Sequence, residues 1–262
     1  MTLSTDTIRA LAKHLDDCQQ QARDTTKITD HQPDLDWDDA YAVQDALLAL
    51  KLARGARLVG LKAGLTSRAK MQQMGVQAPV FGFLTDDLAI PDGGTLRHAG
   101  LIHPKVEPEI AFVLSRPLRG PGCHAAAVLT ATAFVLPGIE VIDSRYRDFK
   151  FDLKSVIADN TSAAGFVVGG IPTPVAGVDL VTAGVVLERN GVPVAFGAGA
   201  AVLGHPAQAV AELANHLGRR GREIPAGCVV LSGGITEAVA VAAGDSVALS
   251  VQGLGRTSFR LI

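Results

Sequence analysis

Apolar residues near the start of the chain recur at helical spacing. The first set lies three or four positions apart on one predicted helix face and comprises Ile8, Leu11, Leu15 and Cys18. A second helix is predicted from near Asp36, because the carboxylates of Asp38 and Asp39 suit the positive end of a helix dipole. It is predicted to end between Lys51 and Gly55, where a glycine can adopt the left-handed helix cap. Residues 1–57 are therefore predicted to form an N-terminal helical region.

From Leu58 onward, short apolar runs rich in β-branched residues alternate with turns of glycine, proline and aspartate. These runs predict short strands, among them VGLKAGL, PVFGFL, EIAFVL, FVLPGIEVI, GFVVGG and CVVLSGG. Asn190–Gly191 lies between two such runs and predicts a β-hairpin. One further helix is predicted from Pro206 to Leu217, with Gly218 after it. Many strands with few crossover helices favour an α+β fold, a mixed β-roll or sandwich, in a β-rich domain of residues 58–262.

The amino-acid composition excludes several classes of protein. The 262 residues are 48% hydrophobic and 19% charged, with a formal net charge of −2, so the chain can bury a large core and is not disordered. Because there is no basic block and only 5% of residues are aromatic, a nucleic-acid or anionic-membrane surface is not expected as the main partner. The cysteines, Cys18, Cys123 and Cys228, are too far apart for a disulfide framework. With neither a signal peptide nor a membrane span predicted, we expect a soluble cytoplasmic protein.

Two glutamates on one predicted strand form the sharpest chemical motif. Glu107 and Glu109 are two residues apart, so they project from the same face of that strand. Glu140 lies within the apolar run FVLPGIEVI, where an unpaired carboxylate would cost several kcal/mol. Three converging carboxylates suit a hard divalent ion, Mg²⁺ or Mn²⁺. Alternatively, the pair lies on the solvated face of an edge strand, where Pro108 is also tolerated.

Two further segments offer groups that could bind a substrate. Lys62 is flanked by glycines and apolar residues, and its ammonium could stabilise an enolate or bind a carboxylate. The alternative is an ordinary surface lysine. Residues 159–162 (DNTS) offer amide and hydroxyl donors before an apolar run, although an Asx-type turn explains the same residues.

A charged segment follows the third glutamate. Arg145 and Arg147 could meet an anionic group on a substrate, or they could form a solvated salt-bridge cluster with Asp143 and Asp148. His103 is a candidate general base, although a loop histidine need have no catalytic role. Neither a phosphate-binding glycine loop, a nucleophile elbow nor a Cys–His arrangement is apparent.

Four long segments resemble one known family over nearly the whole chain. They are GLKAGLTSRAKMQQMGVQAPVFGFL, HPKVEPEIAFVLSRPLRGPG, GIEVIDSRYRDFKFDLKSVIADNTSAAGFVVGG and LANHLGRRGREIPAGCVVLSGGITEA. They are similar to the 2-oxopent-4-enoate hydratase / 4-oxalocrotonate decarboxylase family, in the fumarylacetoacetase-like superfamily. The resemblance implies a mixed β-roll with an N-terminal helical part, and residues 58–262 are then the catalytic domain. It also implies a homo-oligomer.

The same resemblance assigns roles to individual residues. It implies that Mg²⁺ or Mn²⁺ is held by three ligands, Glu107, Glu109 and Glu140. It implies that Lys62 is the active-site lysine and that Ser162 lines the substrate site. The residues that we expect to contact the substrate besides these are Val80, Leu84, Arg145 and Asn160.

One position bears on which reaction the family resemblance implies. Hydratases of the family typically read Pro-Asp-Phe-Gly where this chain has Pro79-Val80-Phe81-Gly82, and a valine cannot move a proton of the attacking water. Decarboxylation requires an electron sink and a dry pocket instead. The charge pattern of VIDSRYRDFKF also looks more like the decarboxylase branch. We therefore expect metal-dependent decarboxylation of 4-oxalocrotonate (2-oxohex-3-enedioate) to 2-hydroxypenta-2,4-dienoate, in the meta-cleavage degradation of aromatic compounds.

Several alternatives stay open. The first is hydration of 2-hydroxypenta-2,4-dienoate on the same metal site. The second is a metal-poor scaffold subunit that holds a partner enzyme, and the third is a fumarylacetoacetase-type hydrolase, for which no nucleophile-activating histidine pair is visible. The decarboxylase branch is also expected to associate with the pathway's hydratase, because its dienol product is unstable in water.

Overall fold

The computed structural model describes residues 2–67, 71 and 79–262. Residues 68–70 and 72–78, which belong to the family-like segment GLKAGLTSRAKMQQMGVQAPVFGFL, lie outside the described residues. Within the described residues, the α-helices are α1 (Thr5–Gln20), α2 (Trp37–Ala53), α3 (Ala125–Ala131), α4 (Leu153–Ala158) and α5 (Pro206–Arg219). None of them is both long enough and apolar enough to cross a lipid bilayer.

The strands form two sheets. Their bounds are β1 (Leu58–Gly64), β2 (Val80–Thr85), β3 (Thr95–Leu96), β4 (Lys105–Leu114), β5 (Thr132–Ile142), β6 (Ala163–Val168), β7 (Gly184–Arg189), β8 (Val192–Ala198), β9 (Val229–Leu231), β10 (Val239–Ala240), β11 (Ser246–Val251) and β12 (Gly255–Leu261). The larger sheet has the order β2-β1-β9-β4-β5-β6, with β10 also paired to β4, and the smaller has the order β3-β12-β11-β7-β8. Because β1 pairs with β9 in parallel and with β2 in antiparallel fashion, the larger sheet is mixed. The predicted α+β class with a mixed sheet is confirmed.

Local sequence signals account for most of these elements. The helix predicted from Asp36 begins with a capping box in which Asp36 and Asp39 each accept the other's backbone N–H. The Asn190–Gly191 hairpin is confirmed, with both residues at positive φ (55° and 75°), as a type I′ turn requires. Helix α5, predicted to end at Leu217, continues through Gly218 to Arg219. The short helices α3 and α4 were not predicted, because six or seven residues carry little periodic signal.

The N-terminal helices pack against the β-rich part and contact the strand that carries Val80. Their buried apolar residues belong to the same core cluster as those of β1, β4 and β5. Gln44 of α2 donates hydrogen bonds to the carbonyl oxygens of Phe81 (2.9 Å) and Ile157 (2.8 Å). The backbone of Thr25 is bonded to that of Arg145 and Arg147. The helices thus support the walls of the site described next, and the domain boundary at residue 57 stays a prediction.

Candidate metal centre and active site

Three glutamates converge on one face of the larger sheet. Glu107 on β4 lies directly opposite Glu140 on the antiparallel strand β5, and Glu109 is two residues further along β4 on the same face. One carboxylate oxygen of each lies within 4.8 Å of those of the other two. Glu109 and Glu140 are fully buried, whereas Glu107 is partly exposed. The edge-strand alternative for this pair is wrong, because β4 has neighbours on both sides.

Two carboxylates of the cluster, those of Glu109 and Glu140, have few partners for their negative charge among the described residues. Lys62 Nζ lies 2.5 Å from Glu140 Oε1 in an ion pair, and the amide N–H of Gly233 donates to Glu109 Oε2 at 2.6 Å. Among the described residues, no hydrogen-bond donor is placed against Glu109 Oε1 or Glu140 Oε2. Burial, with the charges of Glu140 and Glu107, raises the pKa of Glu109 well above its ordinary value. Burial raises the pKa of Glu140 to about 7, although Lys62 opposes the shift.

These observations fit a hard divalent cation. Lys62 alone cannot neutralise both Glu109 and Glu140, and buried carboxylate oxygens without hydrogen bonds are costly unless a cation coordinates them. An all-oxygen ligand set with one partly exposed member suits Mg²⁺ or Mn²⁺ and leaves room for substrate atoms.

A glycine pair after β9 completes the surroundings of the cluster. A Cβ on Gly234 would lie 2.9–3.1 Å from the carboxylate atoms of Glu107, so a side chain there would push that carboxylate away. Sequence reasoning did not select Gly233 and Gly234 as site residues, although they lie in the family-like segment. The available signal was a Gly-Gly pair that follows a buried strand after one intervening serine.

Residues 160–162 form an unusual turn beside Lys62. Asn160, Thr161 and Ser162 all have left-handed backbone angles (φ 49°, 50° and 62°), which are disfavoured for residues with side chains. Lys62 Nζ donates to the carbonyl oxygen of Thr161 at 2.9 Å, and Ser162 N–H donates to the Asp159 carbonyl. The Ser162 hydroxyl is buried without a hydrogen-bond partner among the described residues. The turn therefore presents an unsatisfied hydroxyl to the pocket.

A pocket of about 390 Å³ opens onto the cluster. Its polar lining comprises Lys62, Thr66, Ser67, Lys105, Glu107, Thr161 and Ser162. Its apolar lining comprises Leu65, Val80, Ile142, Phe149, Phe151, Val156 and Ala238, together with Gly64 and Gly234. Sequence reasoning did not select Lys105, Phe149 or Phe151, because pocket position is not visible in a local pattern.

Three of the expected substrate contacts lie elsewhere. Arg145 is buried, and its guanidinium is occupied by the Asp159 carboxylate and by the carbonyl oxygens of Asp143, Asp159 and Ala163. Asn160 is also buried, with its amide bonded to the backbone N–H and C=O of Phe83 (2.8 and 2.9 Å). The expected contact of these two residues with substrate stays a prediction, and neighbouring chain segments already occupy their polar groups.

Leu84 lies on the same face of β2 as Val80, but four residues further along the strand. There it packs in a separate apolar cluster with Leu88, Phe166 and Leu231, away from the pocket lining. The expectation that Leu84 contacts the substrate stays a prediction that this packing does not support.

Two other charged candidates are also outside the pocket lining. Arg147 pairs with Asp24 on the surface, 3.0 Å away. His103 packs its ring against Phe149, with 4.7 Å between the ring centroids.

Known proteins are similar to this chain in both sequence and fold. The family described as fumarylacetoacetate (FAA) hydrolase C-terminal matches residues 57–262. The chain is 54% identical over 261 residues to 4-oxalocrotonate decarboxylase of Pseudomonas sp. (strain CF600), covering 100% of this chain and 99% of that protein. It is 41% identical over 255 residues to 2-hydroxyhexa-2,4-dienoate hydratase of Comamonas testosteroni, covering 97% of each. A solved structure, 4-oxalocrotonate decarboxylase from Pseudomonas putida G7 complexed with magnesium and adipate, matches with a TM-score of 0.98 at 51% identity and covers 100% of this chain and 99% of that one.

Proposed function

The chain belongs to the fumarylacetoacetate hydrolase C-terminal family, and we propose that it decarboxylates 4-oxalocrotonate to 2-hydroxypenta-2,4-dienoate and CO₂. The C5–C6 bond of the substrate breaks, its electron pair moves through the conjugated chain to the C2 oxygen, and that oxygen takes up a proton. The reaction would serve the meta-cleavage degradation of aromatic compounds. Full-length similarity to proteins named for this activity supports the proposal.

The three glutamates are proposed to hold Mg²⁺, or Mn²⁺ in its place. A relative of the same fold was solved with magnesium and adipate, a six-carbon dicarboxylate like the proposed substrate. When bound, the divalent ion would act as a Lewis acid toward negative charge on the C2 oxygen. Glu107, as the partly exposed ligand, would lie at the boundary between the cluster and the substrate.

Two other side chains are proposed to act on the substrate directly. Lys62 would place a positive charge beside the developing enolate, since it lines the pocket and is held by Glu140 and the Thr161 carbonyl. Ser162 would donate its hydroxyl hydrogen bond to a substrate oxygen, because that hydroxyl has no other described partner.

The observation that carries the choice of reaction is the position of Val80 in the pocket wall. Val80 lines the pocket as a buried apolar side chain, paired with Gly64 across β1 and β2. Addition of water requires a group that can hold or move a proton, and among the described lining residues Glu107 is the only carboxylate. Since Glu107 is proposed as a metal ligand, an apolar wall at Val80 favours loss of CO₂ over water addition.

A paired assay tests this choice. The purified protein with Mg²⁺ is supplied separately with 4-oxalocrotonate and with 2-hydroxypenta-2,4-dienoate, and both consumption rates are measured for wild type, Val80→Asp and Val80→Asn. Val80→Asn has nearly the same shape as Val80→Asp but no titratable group. We expect wild type to decarboxylate, and Val80→Asp alone to gain hydration while losing decarboxylation. Absence of decarboxylation in wild type, or equal hydration by both variants, would contradict the proposal.

Hydration of the dienoate is the second candidate function. It is favoured by the 41% identity to a hydratase over nearly the whole chain, since the two activities share one scaffold in this family. Hydration by wild type at a rate above its decarboxylation would establish this alternative instead.

We also propose that the chain forms a homo-oligomer and associates with the hydratase that consumes its unstable dienol product. A cytoplasmic location is consistent with three unpaired cysteine thiols. Size-exclusion chromatography of the protein, alone and mixed with that hydratase, tests both associations. Elution as a monomer, or separate elution of the two proteins at all concentrations, would contradict them.

A further inference from the structure

Among the described residues of the pocket wall, Lys105 is the cation that the proposed mechanism does not use. Within the described residues it forms no ion pair with an acidic side chain, whereas Lys62 is held by Glu140 and the Thr161 carbonyl. We propose that Lys105 binds the distal carboxylate of the substrate, the one that leaves as CO₂, and so selects dicarboxylates. This inference rests on the proposed decarboxylation, because it takes the other end of the substrate to lie at the glutamate cluster.

The spacing along β4 fits this substrate length. Lys105, Glu107 and Glu109 alternate with buried apolar residues, so all three project from one face of the strand. Each two-residue step covers roughly 6.6 Å. A six-carbon chain of five carbon–carbon bonds, each about 1.5 Å, spans roughly 6 Å between its end carbons. A dicarboxylate with its 2-oxo acid end at the cluster therefore reaches about one step along β4, to Lys105.

Aromatic and aliphatic groups surround the ammonium of Lys105. Its Nζ lies 4.2 Å from the ring centroid of Phe149, which also contacts the His103 ring. Directly across the ladder from Lys105 is Ile142, another lining residue. A cation over an aromatic ring keeps its charge but loses part of its hydration, so it binds an anion more strongly than a fully solvated lysine does.

The other cations predicted to meet an anionic substrate group do not reach the pocket. Arg145 is buried in its own network, and Arg147 pairs with Asp24 on the surface. Among the described lining residues, Lys105 is therefore the cation available for a second carboxylate.

The contact has a distinctive kinetic consequence. Lys105 would attract the distal carboxylate in the bound substrate, but that negative charge leaves the carboxylate as neutral CO₂ forms. The interaction therefore stabilises the ground state more than the transition state. Removing it is expected to raise KM for the dicarboxylate about tenfold, with kcat unchanged or higher.

A matched pair of unreactive ligands isolates the contact. 2-Oxohexanedioate and 2-oxohexanoate share the 2-oxo acid end and differ only in a distal carboxylate or methyl group; neither has the conjugated double bond that decarboxylation requires. Their dissociation constants are measured by calorimetry on the Mg²⁺-loaded protein, for wild type, Lys105→Met, Lys105→Arg and Lys150→Met. Lys150 is a control because it lies close in sequence to Phe149 and has the same charge, but it is exposed and outside the pocket lining.

We expect wild type, Lys105→Arg and Lys150→Met to bind the diacid about tenfold more tightly than the monoacid, and Lys105→Met to bind both equally. Persistence of the preference in Lys105→Met, or its loss in Lys150→Met, would overturn the proposal. Binding requires no turnover, so an inactive wild type that still prefers the diacid would contradict the proposed reaction while supporting the subsite. A wild type that decarboxylates 4-oxalocrotonate but binds the diacid and the monoacid equally would support the proposed reaction and contradict the subsite.

Discussion

Gly82→Ala should damage both stability and turnover, because Gly82 lies against the turn that carries Ser162. A Cβ at this position would lie 2.6 Å from Thr161 Oγ1 and 2.8 Å from Asn160 Oδ1. Asn160 cannot easily move aside, since its amide makes two buried hydrogen bonds to the backbone of Phe83. The added methyl group must therefore displace the turn or break those bonds.

The expected cost follows from these contacts. Overpacking a close-packed site costs typically about 1–3 kcal/mol. Loss of the two Asn160 hydrogen bonds would add about 1 kcal/mol each. We expect the free energy of unfolding to fall by roughly 3–5 kcal/mol, and kcat to fall at least tenfold because the Ser162 hydroxyl moves.

Gly64→Ala is the matched control for stability. Gly64 lies on the neighbouring strand β1, opposite Val80, and a Cβ there would have no contact closer than 3.4 Å. This variant should be as stable as wild type, or more stable by about 0.4–1 kcal/mol, because alanine restricts the unfolded chain. Urea unfolding followed by circular dichroism measures both variants, and decarboxylation assays measure kcat. If Gly82→Ala matches Gly64→Ala in stability and retains wild-type kcat, the turn does not hold Ser162 as argued.

Two further predictions concern pH and metal. Burial lowers the pKa of His216 from 6.5 to about 4, so the folded protein keeps it neutral while the unfolded chain binds a proton as the pH falls below 6.5. Wild type should therefore lose up to about 3 kcal/mol of stability relative to His216→Gln between pH 7.5 and pH 4, measured as the difference between their free energies of unfolding in urea. A difference that does not change with pH would contradict this. Mg²⁺ at a hundred times its Kd should stabilise wild type by about 2.7 kcal/mol. Thermal unfolding should show no such gain in Glu109→Gln, and equal stabilisation of both proteins would remove Glu109 from the ligand set.

The features predictable from sequence are those with a local cause. Alternation along a strand is enough to put Glu107 and Glu109 on one face, and the turn chemistry of Asn190–Gly191 is enough to predict a hairpin. The register that sets Glu140 directly opposite Glu107 depends on the pairing of two strands separated by a long connection. No local pattern determines that pairing.

The charged residues show most clearly what cannot be predicted from sequence spacing. Arg145 follows a glutamate of the cluster in sequence, yet Asp159 and three backbone carbonyls hold its guanidinium away from the pocket. Lys105 has no special sequence context, yet it lines the pocket over Phe149, which comes from a distant loop. Whether a charged side chain is a structural partner or is available to a ligand is decided by tertiary neighbours that sequence spacing does not specify.

Strand β9 also bears on the order in which the molecule can fold. It lies between β1 and β4, and among the described strands of the larger sheet it joins the β1–β2 pair to the β4–β5–β6 meander. The amide of Gly233, just after β9, reaches Glu109 across 124 residues of chain, and Lys62 reaches Thr161 across 99. Closing such loops costs entropy before their contacts form, which slows folding. During synthesis, all three glutamates leave the ribosome before β9 does, so the hydrogen bond from Gly233 to the buried Glu109 carboxylate can form only after β9 has emerged.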